Sequence, residues 1–326
     1  MAVDLDGRVL GGSVENHEGG GLRPAPLCCP LPLVSISAVL SEPLDLVHRG
    51  AERVIGCYLL ETVDGPALFD CGPASCVPRL KDRLRERGLE LGDLRHLLLS
   101  HIHVDHAGAA GTLVREHPGL QVHVSEIGAP HLVDPSKLER SARRLYGADF
   151  DELWGELLPV PTENVHATGT EVVGLECFPT PGHASHHVCY LDGDGALYAG
   201  DAAGVRIQPS PSVLPPTPPP DADVVAWNTT IDDIDERKPA RLGLIHFGVA
   251  EDPERHLAEL RARLEEWSER VRRGVDEGTF VAAAEEELAE KGEPVGLYEQ
   301  AMPFWQSYAG LKRYWEKRRE HEASAV

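Results

Sequence analysis

The stretch LLLSHIHVDHAGAAG, from Leu97 to Gly111, constrains the fold of this chain more than any other. The leucine run reads as a buried strand, and the small residues at the other end open a helix against which something packs closely. Between them lie His101, His103, Asp105 and His106 in the pattern H-x-H-x-D-H. Residues two apart on an extended strand end point the same way, so His101 and His103 can grip one ion. After the chain turns, Asp105 and His106 address a neighbouring position. Imidazole and carboxylate are ligands that zinc or iron accepts. An isolated histidine such as His17 or His321 reads instead as surface or core filler.

The remaining segments place this cluster in a layered architecture. RVIGCYLLETVDGPALFDCG predicts two strands around the turn VDGP, the second ending at Asp70. SCVPRLKDRLRERG is a helix that stops at a glycine, HAGAAGTLVREHPG a helix, LQVHVSE a strand and PSKLERSARRLYG a further helix. TEVVGLECFPTPGH and HHVCYLDGDGALYAGD predict a second block of strands, with the turn DGDG between two of them. LPPTPPPDAD is a stiff proline-rich loop. DDIDERKPARLGLIHFG is a helix followed by a strand that ends at His246. β-rich and helical segments thus alternate twice, which predicts two sheets packed face to face in an α/β domain over residues 1–250. Residues 251–326 are helical and carry too little apolar surface for a core of their own, so they are expected to pack on that domain.

Ligand-type residues recur where the predicted strands end: His183 after a Pro-Gly turn, Asp201 in LYAGD and His246 in LGLIHFG. Each lies close to a glycine that lets backbones approach. With LFDCG and the H-x-H-x-D-H block, these segments resemble the metallo-beta-lactamase superfamily over roughly residues 50–250. The resemblance implies a four-layer αββα sandwich, here with a C-terminal helical extension. It implies that His101, His103 and His183 bind one metal and that Asp105, His106 and His246 bind a second. Asp201 would bridge them, and Asp70 would orient the ligands. The flanks GAPHLVDPSKL, TPGHASHH and PPTPPPD resemble the glyoxalase II branch more than the antibiotic-degrading enzymes.

The implied activity is hydrolysis of a small ester, thioester or lactone by a hydroxide bridging two divalent ions, most simply zinc, with iron or manganese as alternatives. Asp105 would orient the nucleophile. Two rivals share the fold: a phosphoester hydrolase, and a persulfide dioxygenase that uses one iron. His246, as a ligand for a second metal, favours the dinuclear hydrolase.

The formal charge of −22 opposes nucleic acid or an anionic membrane as partner, and a small-molecule substrate is expected. The acidic start MAVDLDGRVL lacks the form of a signal peptide, and LCCPLPLVSISAVL is too short and proline-broken to span a bilayer. The seven cysteines form no C-x-x-C pair, and most of them read as buried thiols in a reducing cytoplasm. Of His186 and His187, just one can face the site from a strand. Asp134 is expected to cap the helix that follows, with His131 in the same turn, and His123 to be structural. The proline loop either walls the pocket or is a surface connection. The aromatic tail, with Phe304, Trp305, Tyr308, Tyr314 and Trp315, is expected to pack on the main domain. A pocket lid and a contact in a homo-oligomer are its alternatives.

Overall fold

The computed structural model describes residues 40–324. Cys28, Cys29, His17 and the early apolar segment lie outside the described residues.

The first sheet is built by β1 (Leu44–Asp45), β2 (Gly56–Thr62), β3 (Gly65–Phe69), β4 (His96–Leu98), β5 (Gln121–Val124) and β6 (Val165–Ala167), in that spatial order. β2 and β3 form the expected hairpin, Tyr58 opposite Phe69, and β3 to β6 run parallel. The second sheet takes β7 (Glu171–Val172), β8 (Leu175–Pro179), β9 (Val188–Leu191), β10 (Ala196–Tyr198), β11 (Arg241–Leu244) and β12 (Gly248–Ala250), again as sequential neighbours. Only β10 and β11 are parallel, Leu197 opposite Leu242, and α7 (Val224–Arg237) makes the crossover between them.

The two sheets stack through aromatic rings. Phe69 meets Tyr190 at 5.9 Å and Tyr198 at 5.5 Å, and Tyr58 meets Tyr198 at 5.9 Å. Two of the hydroxyls are satisfied across the same interface. Tyr58 Oη donates to Leu244 O and Gly248 O, and Tyr190 Oη donates to Leu99 O. A buried tyrosine can bring its body into a core only when its hydroxyl finds such an acceptor.

Helices cover both outer faces. α1 (Val77–Glu86), α2 (Val104–Ala107), α3 (Ala110–Glu116), α4 (Ala129–Val133), α5 (Ser136–Tyr146) and α6 (Phe150–Trp154) pack against the first sheet, with Leu80, Leu84, Leu113 and Phe150 fully buried. On the other side, α8 (Pro253–Arg272), α9 (Glu277–Glu290), α10 (Val295–Ala301) and α11 (Phe304–Ser324) follow α7. Leu257, Trp267, Phe280, Tyr298 and Phe304 from these helices share one buried cluster with Leu197 and Leu242 of the second sheet. The architecture is the αββα sandwich with a helical C-terminal region.

Three local comparisons with the sequence reading have physical causes. The helix expected over HAGAAGTLVREHPG is two short ones, and the first starts already at Val104, so Asp105 and His106 sit in helix rather than in a turn before it. α7 starts at Val224, eight residues before the predicted DDIDER segment, because Asp223 accepts from the backbone N–H of Val225 and Ala226 and caps it. Asp134 does bond the N–H of Ser136 as expected, although Pro135 separates it from the helix. The described cysteines, Cys57, Cys71, Cys76, Cys177 and Cys189, are all buried free thiols. No described helix is long and apolar enough to cross a membrane.

Candidate metal centre

The site lies where β3, β4, β9, β10 and β11 deliver their flanking loops. Its foundation is Asp70, fully buried at the end of β3. Its carboxylate accepts Ser100 N–H and Ser100 Oγ at 2.7 Å each, and His106 Nδ1 at 2.8 Å. Burial raises its pKa, against the pull of His106.

These bonds fix tautomers. A carboxylate and a carbonyl only accept, so the nitrogen facing either must carry the proton. His106 donates Nδ1–H to Asp70, His183 donates Nδ1–H to Pro216 O at 2.7 Å, and His246 donates Nδ1–H to Val54 O at 2.5 Å. Ser100 Oγ has spent its proton on Asp70 and accepts from His101 Nδ1 at 2.9 Å. In their neutral forms, which metal binding requires, His101, His106, His183 and His246 therefore carry their lone pairs on Nε2, directed inward.

The lone pairs converge in two groups. His103 Nδ1 is 2.9 Å from both His101 Nε2 and His183 Nε2. At least two of those three nitrogens lack a proton, so hydrogen bonding cannot satisfy the trio. On the other side, Asp105 Oδ2 is 3.5 Å from His246 Nε2 and 3.7 Å from His106 Nε2. Asp201 stands between: Oδ2 is 3.4 Å from His183 Nε2, while Oδ1 is 3.4 Å from His106 Nε2 and 3.7 Å from His246 Nε2. His106 Nε2, His246 Nε2 and Asp201 Oδ1 are buried without a hydrogen-bond partner. The ligand-type atoms of His101, His103 and His183 lie within 4.8 Å of one another, as do those of Asp105, His106 and His246, and those of His101, His106 and Asp201. All seven residues singled out from the sequence come together.

The charge pattern asks for cations. Burial, followed by neighbouring imidazoles, holds His101 far below its ordinary pKa and His103 at about 3, so these rings stay neutral. Burial would lower His106 too, but Asp201, Asp105 and Asp70 outweigh it and raise its pKa well above the usual value. Burial would raise Asp105, yet His106 and His246 keep it low. Imidazoles gathered around two buried carboxylates, with His106 and His246 drawn toward the charged form by those carboxylates, make a place where divalent metal ions would supply the positive charge, and the orphaned atoms fit that group.

The sequence reading missed part of the support. His187, left as one of two candidates to face the site, instead accepts the Asp201 N–H on Nε2 at 3.1 Å and contacts Thr180 Oγ1 at 2.7 Å through Nδ1. Gly200 makes this possible: at φ +50° a Cβ would meet Ser100 Cβ at 2.6 Å and His187 Nε2 at 2.7 Å. Ser100 lies in a quoted motif yet has no signature of its own. His48, which no motif marked, lines the cavity that opens from the centre.

That cavity is about 690 Å³ and runs from His103, Asp105 and Asp201 past α5 to the junction of α10 and α11. Pro216 and Pro218 to Pro220 line it, so the proline loop is a wall. His131 and His186 line it as well. Trp305 lines it from the tail, whereas Phe304, Tyr308 and Tyr314 are packed in the core.

The family model of the Metallo-beta-lactamase superfamily matches residues 52–248. The chain is 29% identical over 156 residues to the uncharacterized protein YobT of Bacillus subtilis, covering 47% of this chain and 63% of that one. It is 28% identical over 158 residues to the N-acyl homoserine lactonase AiiA of Bacillus thuringiensis subsp. kurstaki, covering 41% of this chain and 56% of the lactonase. The matches thus span less than two thirds of those relatives. The solved metallo-beta-lactamase family protein TTHA1429 of Thermus thermophilus shares the fold with a TM-score of 0.54 at 23% identity, over 82% of this chain and 89% of that one. None of the three is named a glyoxalase II, so the finer branch expected from the flanks gains no support from them.

Proposed function

This chain belongs to the metallo-beta-lactamase superfamily, and from that premise we propose that it is a metal-dependent hydrolase of a small ester, thioester or lactone. The observation that carries the reading is the convergence of four fixed imidazole lone pairs on two neighbouring points, with one oxygen of Asp201 turned to each. In this reading His101, His103 and His183 would hold one ion and Asp105, His106 and His246 a second, with Asp201 available to both groups. The all-nitrogen-and-oxygen donor set fits zinc best, and iron or manganese also accept it.

When bound, the two ions supply a water of lowered pKa and a Lewis acid for the acyl oxygen. The remaining work falls to the chain. Asp105, with its side chain 21% exposed, lines the cavity and can take a hydrogen bond from the attacking water. As the water oxygen bonds to the acyl carbon, its proton passes to Asp105 and then to the leaving oxygen or sulfur as that bond breaks. Asp70, Ser100 and His187 hold the ligands and keep their tautomers. The apolar wall of Leu138, Leu145 and Met302 limits water around the acyl group.

The lactonase relative supports an acyl substrate, and the −22 charge opposes a polyanionic one. The test is to assay metal-loaded protein on aryl esters, simple lactones, a thioester and a phosphodiester, beside a His103→Ala control. Turnover of an acyl substrate that the control lacks is expected. Turnover of the phosphodiester alone would replace this reading.

A further inference from the structure

The residues that match the superfamily end at 248. The loop that follows Asp201, residues 202–221, is nevertheless gripped by the helices beyond that point. Arg206 pairs with Asp252 just before α8, Ser212 Oγ donates to Glu293 between α9 and α10, and Tyr298 of α10 donates to Ser212 O. Two further contacts reach the metal centre itself. Each ends on a peptide group whose other end holds a ligand residue, and a peptide group is planar, so fixing one end aims the other.

The first is the peptide between Pro216 and Thr217. Its carbonyl accepts His183 Nδ1–H at 2.7 Å. Its N–H points at Ser307 Oγ of α11 at 3.5 Å, and beside it Thr217 Oγ1 donates to Ser307 O at 2.9 Å. Thr217 and Ser307 are both buried, so water does not compete for these bonds.

The second is the peptide between Ala203 and Gly204. Its N–H donates to the backbone carbonyl of Asp201 at 2.9 Å. Its carbonyl accepts from His256 Nε2 of α8 at 2.7 Å. Gly204 lets α8 come this close: at φ +75° a Cβ would meet Leu260 Cδ1 at 2.7 Å. Burial pulls the His256 pKa down to about 4, so the ring is neutral, and the nitrogen facing a carbonyl carries its proton. Nδ1 is then buried without a partner among the described residues. That is a standing cost which a leucine, like Leu257 and Leu260 beside it in α8, would not carry. What the imidazole provides in return is the bond to Ala203 O. Within the αββα domain the same loop has a second anchor, Trp227 Nε1–H to Ala202 O at 2.8 Å.

We infer that His256 and Ser307 are positioning residues of the metal centre: through these two peptide groups the C-terminal helices aim Asp201 and His183. The inference rests on reading the site as a metal centre.

The test is zinc affinity, read on the full-length protein by competition with a chromophoric chelator, beside the melting temperature of the metal-free form. In His256→Leu both ions are expected to bind about tenfold more weakly, the lower end of what loss of outer support costs, because Asp201 is available to both groups and Trp227 still holds Ala202 O. His256→Gln, whose amide nitrogen reaches about as far as Nε2, recovers most of that loss. In Thr217→Val combined with Ser307→Ala, the ion at the His183 group alone weakens by a similar factor. Affinities within about twofold of wild type in both removal variants would overturn the inference, whatever their melting temperatures do. Equal weakening of both ions in every variant, His256→Gln included and in step with the metal-free melting temperature, would overturn it as well, because that pattern marks general destabilisation. A wild type that takes up no zinc would remove the metal-dependent reading itself. Zinc uptake by the wild type with unchanged variants would leave that reading standing and remove the positioning role.

Discussion

Replacing Gly310 with alanine would put a Cβ on α11 only 1.9 Å from the carbonyl oxygen of Thr217, and 2.9 Å from the carbonyl carbons of Thr217 and Pro218. An aliphatic carbon and a carbonyl oxygen approach to about 3.3 Å at closest, so the helix and the proline loop must part by roughly 1.4 Å. Neither side is a flexible side-chain tip. The shift would break the bond from Thr217 Oγ1 to Ser307 O, now 2.9 Å, and the weaker one from Thr217 N to Ser307 Oγ at 3.5 Å. Those bonds contribute about 1–2 kcal/mol together, and overpacking adds about 1–3 kcal/mol. The better helix propensity of alanine returns about 1 kcal/mol. A net loss of about 1–4 kcal/mol is expected, a fall in Tm of a few degrees or more for a chain of this size. The control is Gly296→Ala in α10, where a Cβ meets nothing within 4 Å and stability should hold or rise slightly. Thermal melts of the metal-loaded proteins decide the matter. A Gly310→Ala protein that melts within about a degree of wild type would refute the claim that α11 and the proline loop form one rigid wall.

His187→Ala removes the acceptor for the Asp201 N–H, and loss of such outer support is expected to weaken metal affinity about 10–100-fold in competition with a chromophoric chelator; unchanged affinity would show that Asp201 needs no such anchor. Stripping metal leaves the converging lone pairs uncompensated, so a chelator should lower Tm and added zinc should restore it. At a hundredfold excess over Kd the gain is about 2.7 kcal/mol, and a Tm indifferent to metal would contradict the site. We propose that residues 251–326 are an extension of the αββα domain rather than an independent unit. Expressed alone they should show no cooperative melt, because Leu257, Trp267, Phe280 and Tyr298 share their cluster with Leu197 and Leu242; a sharp transition would refute this.

How far the sequence could be read follows from where each signal is encoded. The seven ligand-type residues were visible because four stand in one H-x-H-x-D-H block after a leucine run and His183, Asp201 and His246 each follow an apolar segment with glycine close by, local patterns that survive without knowledge of packing. Ser100 and His187 were not, because their roles exist only once separate loops meet: Thr180, His187 and the Asp201 N–H form a chain that no sequence spacing predicts. His48 carried no motif at all, and its place depends on Leu153 and Trp154, more than a hundred residues away. The early start of α7 was hidden by VVAWNTTI, whose β-branched residues disfavour a helix locally and are overridden by the Asp223 cap and by burial of Trp227 and Ile231.

The central claim is a two-ion centre, and elemental analysis of metal-supplemented protein tests it most directly. His101 has ligand-type atoms close to both groups, so it is the variant to set beside wild type. Two ions per chain are expected in the wild type, with at least one lost in His101→Ala. A single ion or none in carefully supplemented wild-type protein would contradict the account.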